Sequence, residues 1–166
     1  MPNLIEAADK VAENNILLID RAKYKTFEHL ASITETLALE HKIACIFVDH
    51  VQLMNSRKNF SNRHLEISYI SNNLKSIEKD LNIPLIVLCQ LRRDVDTRQN
   101  KRPQLSDMKE SGDLEQDGDV IIGIYREEKD SEIMEIAGLK GRDVGTWQDK
   151  LLFNRFIQKI NDQEML

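Results

Sequence analysis

Two side chains able to meet a phosphate close apolar runs of this chain: Asp49 ends "IACIFVD" and Gln90 ends "LIVLCQ". A carboxylate at the end of a buried strand suits Mg²⁺, a hard cation that takes oxygen ligands and keeps several waters. The strand fixes the acid and leaves its tip wet. The same aspartate could instead cap the turn that follows. The Gln90 amide could donate to a phosphate oxygen and accept from a water, and so report whether a terminal phosphate is present. It could equally bond to backbone at a loop mouth. In "LKGRDVGTW", Lys140 and Arg142 stand two residues apart, on one side of an extended segment. Two such cations could reach phosphate oxygens on a neighbouring subunit, or could simply protect a sheet edge from aggregation.

A long polar stretch from Leu91 to about Asp113 carries Arg92, Arg93, Arg98, Lys101, Arg102 and Lys109. With Gly112 nearby it suits contacts to a phosphate backbone, where side chains and backbone N–H groups both donate. Asp94, Asp96 and Asp107 dilute the charge, so a solvated loop also accounts for the composition.

The elements that must position these groups follow from periodicity. Leu4, Ala7, Ala8 and Val11 have helical spacing, and "ILLID" (16–20) reads as a short buried strand. Thr26 can cap a helix whose Phe27, Leu30, Ile33 and Leu37 share a face. The run ending at Asp49 is a second strand. After the polar "NSRKNFSN", a helix begins near Asn62, with Ile67, Ile70, Leu74, Ile77 and Leu81 as its apolar stripe and Asn82 and Pro84 as its stop. "LIVLCQ" is a third strand and "DVIIGIYR" (119–126) a fourth. Two antiparallel strands follow near 132–140 and 147–154. Strands alternating with helices predict an α/β fold with a parallel sheet flanked by helices, and an antiparallel strand pair at the C-terminal end. In such sheets ligands bind beyond the C-terminal ends of the strands, where Asp49 and Gln90 fall.

At 166 residues the chain is expected to be one domain spanning 1–166. Apolar residues at 41% and charged residues at 31% fit a globular protein, with no apolar run long enough for a membrane span. Cys45 and Cys89 sit in apolar runs and read as buried thiols in a reducing cytoplasm. The four histidines have no zinc-ligand spacing. A net charge of −5 argues against coating nucleic acid by charge alone, and leaves room for one local contact patch. A phosphate-cradling G-x-x-x-x-G-K-[ST] loop is missing: Gly118 and Gly123 have the glycine spacing, but Ile124 and Tyr125 follow.

Taken in order, "FVDHVQLM", "NRHLEISYISNNLKSIEKDLNIPLIVLCQLRRDVDTR", "KRPQLSDMKESGDLEQDGDVIIGIYREE" and "GLKGRDVGT" resemble the C-terminal motor domain of DnaB-type replicative DNA helicases. The resemblance runs from about Ile16 to Arg155. It implies a RecA-like fold, part of a P-loop NTPase. It also implies that Asp49 is the Walker B aspartate positioning Mg²⁺, that Gln90 senses the γ-phosphate, and that Lys140 and Arg142 reach the ATP site of the adjacent subunit. Lys109, Glu110 and Gly112 fall where the family's central-channel loop meets DNA, and "NSRKNFSN" falls at a second channel loop. His50 stands for a customary Tyr, Cys89 for Ser, Lys109 for Arg, and Asp143-Val144 for Asn-Gly.

By the same resemblance, the P-loop and the catalytic glutamate lie upstream of Met1. The parent protein is then expected to be a cytoplasmic, ATP- and Mg²⁺-dependent helicase, a hexameric ring moving single-stranded DNA without any membrane association. This chain alone is expected not to hydrolyse ATP. The other reading is a catalytically silent remnant that binds DNA or a helicase ring.

Overall fold

A computed structural model describes residues 5–6, 9, 13, 15–20, 26–111, 113–128 and 130–162, with the backbone but not the side chains of 109–111. Most of the expected helix at 4–13 lies outside the described residues.

The first helix, α1 (Phe27–Glu40), begins after Thr26, which is extended but makes no side-chain cap. The Phe27 N–H, an orphan donor of the first turn, is met instead by the Asn55 carbonyl at 2.7 Å. β1 (Ile46–Val48) and a 3₁₀ turn (Val51–Leu53) follow. In α2 (Arg63–Leu81) the Asn62 side chain accepts from the Leu65 N–H, and Asn82 ends the helix in the left-handed region at φ 52°. Ile67, Ile70, Leu74 and Ile77 are buried as the stripe predicts, together with Phe27, Val51 and Met54. β2 (Leu85–Val87) pairs parallel to β1, Ile46 opposite Leu85 and Val48 opposite Val87. A parallel pair needs a crossover, and α2 is that crossover.

Among the described residues, the two-strand sheet is covered on one face only. Val48, Leu85 and Val87 pack on the α1–α2 core, whereas Phe47, paired with Ile86, is 69% exposed. These runs, expected to be fully buried strands, are therefore corrected to half-covered ones. Ile16–Asp20 is also corrected, since it forms no strand and leaves Leu18 92% exposed. Apolar character states what a segment wants buried, and here no neighbour among the described residues meets it.

Beyond β2, two 3₁₀ segments (Arg93–Thr97 and Leu105–Ser111) and the short α3 (Leu114–Asp117) lead into β3 (Val120–Tyr125), β4 (Ile133–Gly141), β5 (Trp147–Asn154) and β6 (Lys159–Asp162). These four strands form one antiparallel sheet in sequential order, so the expected C-terminal pair is the middle of a larger unit. β3 belongs to this sheet rather than to the parallel one. Its burial alternates, Ile121 and Gly123 inside and Val120, Ile122 and Ile124 outside, as in a half-covered strand. Gly138 lets the Trp147 ring lie across β4, where an added Cβ would stand 2.4 Å from the indole nitrogen.

Cys45 and Cys89 form no disulfide and are half-buried rather than buried. Among the described residues no helix is long and apolar enough to cross a membrane.

Candidate functional site

The parallel register brings the ends of β1 and β2 to the same rim. Asp49 follows β1 directly, with its side chain 76% exposed and one carboxylate oxygen 3.6 Å from His50 Nδ1. The chain then turns under β2: Leu88 N–H donates to Val48 O at 2.9 Å, and Val51 N–H to Leu88 O at 3.1 Å.

Gln90 lies three residues beyond β2 and is fixed by a residue that no sequence motif singles out. The Gln52 amide accepts from the Gln90 N–H at 3.1 Å and donates to the Gln90 carbonyl at 3.0 Å. Its nitrogen also approaches Cys89 Sγ at 3.1 Å. These contacts hold the Gln90 backbone, and the residue itself is exposed at the rim. Gln52 sits three residues after Asp49, so the 3₁₀ turn carrying it ties the two rim residues together.

Asp49 offers one exposed carboxylate, and among the described residues no group of three acidic, histidine or cysteine side chains could enclose a metal. One hard oxygen fits a magnesium ion that draws its other ligands from water and phosphate, and would not fit a metal needing a full protein cage.

The polar stretch after Gln90 is exposed over much of its length but braced at several points. Asp107, its side chain 7% exposed, takes Arg98 through two parallel bonds of 2.8 Å and the Gln104 N–H at 2.8 Å. Arg102 forks onto Glu135 of β4 at 2.6 and 2.8 Å, and its guanidinium lies 5.2 Å from the centre of the Tyr125 ring. Val95 and Met108 are buried beneath. Lys109 and Glu110 end the second 3₁₀ segment of this stretch, although their side chains lie outside the described residues, as does all of Gly112.

"NSRKNFSN" is likewise anchored. Glu28 accepts from the Ser56 hydroxyl and from the Arg57 N–H. Burial pushes the Glu28 carboxyl up, but the bonds from Ser56 and the backbone outweigh it and hold it below the usual range. Phe60 packs on Tyr69 at 5.3 Å, and Lys58 stands 4.3 Å over the same ring.

Lys140 and Arg142 do not reach out together. Lys140 Nζ donates to the Glu115 carbonyl and, at 3.2 Å, to that of Gln116, tucked against the end of α3. Arg142, 57% exposed, starts the β4–β5 turn and pairs through Nη1 with Asp119 at 3.0 Å. The left-handed residue of that turn is Gly145, at φ 67°. Asp143-Val144 thus need not supply the conformation that a customary Asn-Gly would.

A parallel pair with helices packed on one face and an appended antiparallel sheet are the architecture of RecA-like helicase ATPase domains. Solved structures share it, two of which serve for comparison. One, described as an ATPase domain, superposes with a TM-score of 0.88 at 32% identity, over 97% of this chain and 59% of that one. A DnaB-like replicative helicase, solved in a study of its interactions with primase, gives 0.88 at 33% identity over 97% of this chain and 40% of its own.

The family described as DnaB-like helicase C-terminal domain matches residues 1–162, and the chain belongs to it. A probable plasmid replicative DNA helicase of Chlamydia trachomatis is 38% identical over 156 residues, 94% of this chain and 34% of that protein. The replicative DNA helicase DnaB of Rickettsia bellii is 43% identical over 110 residues, 66% of this chain and 22% of that protein. The chain thus spans about a third or less of these relatives' length.

Proposed function

We propose that this chain supplies the metal-holding, phosphate-sensing and subunit-bridging part of an ATP-dependent replicative DNA helicase. The observation that carries the reading is the parallel register of β1 and β2, which puts Asp49 and Gln90 on one rim. In this reading Asp49 orients a hydrated magnesium ion, which when bound would neutralise phosphate charge. Gln90, its backbone held by Gln52, offers its amide to the terminal phosphate. Arg142 extends toward the nucleotide of the adjacent subunit in a hexameric ring. Lys140 starts from a different place, braced on α3, and must leave those carbonyls to take part. Residues 109–112 contact single-stranded DNA at the end of the braced stretch.

The sequence has no G-x-x-x-x-G-K-[ST] phosphate cradle, so ATP turnover requires a P-loop supplied by other polypeptide. The test is ATP binding and hydrolysis by the chain alone and joined to an in-frame P-loop segment. Turnover only in the joined protein, lost in Asp49→Ala, supports the motor. Turnover by the 166-residue chain that disappears in Asp49→Ala would refute the division of labour. A joined protein that binds DNA but never hydrolyses ATP would favour the silent module instead.

A further inference from the structure

Asp119 lies between α3 and β3, and three cations converge on it. One carboxylate oxygen takes Lys75 Nζ from the middle of α2, and the other pairs with Arg142 Nη1 at 3.0 Å. The Asp119 carbonyl also accepts the Arg142 N–H at 3.1 Å. Lys140 acts on the same acid from further off, through its charge. Arg142 is therefore tied to one residue by main chain and side chain. That residue is tied to a half-buried lysine, itself paired with Glu78 at 3.0 Å, on the helix that builds the core.

We propose that Asp119 is a positioning residue for Arg142, holding the guanidinium so that its free donors point at a phosphate across a subunit boundary; this rests on the trans-acting role given to Arg142 above. An arginine on a turn has many rotamers, and ordering it before the phosphate arrives removes a cost from the reaction step. Among the described residues, Asp119 is the one ion-pair partner of the Arg142 guanidinium, and it uses a single nitrogen, leaving the fork open for bidentate bonding. An exposed pair contributes little to stability, so geometry is the better account of a carboxylate anchored from behind. The bond from Lys75, with the charges of Arg142 and Lys140, holds the Asp119 carboxyl below the usual range despite some opposing desolvation. The acid therefore stays ionised at neutral pH.

Two measurements test this. In the chain itself, the Arg142 Nη1 protons should give a resolved, slowly exchanging NMR signal that is lost in Asp119→Asn. Its absence in the unmodified chain overturns the proposal. In the P-loop-joined assembly, Asp119→Asn should lower kcat about tenfold with KM within about twofold, and add nothing to Arg142→Ala. If Arg142→Ala abolishes turnover and Asp119→Asn leaves kcat unchanged, positioning is overturned while the trans-acting arginine stands. If Arg142→Ala itself leaves kcat unchanged, the trans-acting reading falls and this proposal falls with it. Lys75→Met, which loosens the anchor without touching Asp119, should lower kcat in the same direction by a smaller factor. An unchanged kcat there also overturns the proposal, and this variant keeps the test open should Asp119→Asn fail to fold.

Discussion

Asp49 is 76% exposed and, among the described residues, its ion-pair neighbour is His50 alone, so its substitution removes chemistry rather than packing. Asp49→Asn should leave the melting temperature within about 2 °C, since surface substitutions usually cost no more than about 0.5 kcal/mol. It should nevertheless abolish magnesium-dependent ATP turnover in the P-loop-joined protein, measured by phosphate release. Gln52→Ala acts differently. It deletes both bonds that hold the Gln90 backbone. ATP binding should survive while hydrolysis falls by roughly tenfold, the scale of about 1.4 kcal/mol of lost positioning. Lys109→Ala should reduce the slope of log affinity for single-stranded DNA against log salt by about 0.7, the share of one phosphate contact.

At the scale of elements, the braced stretch is the most exposed to a single change. Arg98→Met leaves the buried Asp107 without its counter-charge and should cost about 3 kcal/mol in a urea titration, the penalty of an uncompensated buried charge. Acid should loosen the same region from another side. Arg102 holds the Glu135 carboxyl, and Lys75 the Asp119 carboxyl, below the usual range. A carboxyl that binds its proton less readily when folded contributes stability above its unfolded pKa and loses it as pH falls through its folded one. Thermal stability should therefore be flat near neutrality and decline from about pH 5 downward.

The helices were legible in the sequence because their apolar period is unambiguous: the Ile67–Ile77 stripe is the buried face of α2. The rim was legible because Asp49 and Gln90 each close an apolar run. Ile16–Asp20 misled, since composition cannot say whether a strand has a neighbour. β6 was missed because "KIND" is short and polar, with all four residues exposed. Gln52 and Asp119 were missed for a further reason. Each owes its role to a partner 38 or 44 residues away, Gln90 or Lys75, and no local pattern announces such a meeting.

Across the described residues, apolar surface stands bare on the open face of the parallel pair. Phe47 and Ile86 lie side by side there. Parallel sheets are normally covered on both faces, and exposed apolar patches drive association. The isolated chain should self-associate with rising concentration in sedimentation velocity, and the Phe47→Ser/Ile86→Ser double variant should be more monomeric.

The Gln52 amide imitates a peptide unit, making to Gln90 the pair of bonds that another strand's backbone would make. A true strand can only be peeled away residue by residue, but this substitute swings on the torsions of one flexible arm. One substitution at Gln52 therefore removes both bonds from Gln90 and leaves the β1–β2 pairing behind it untouched.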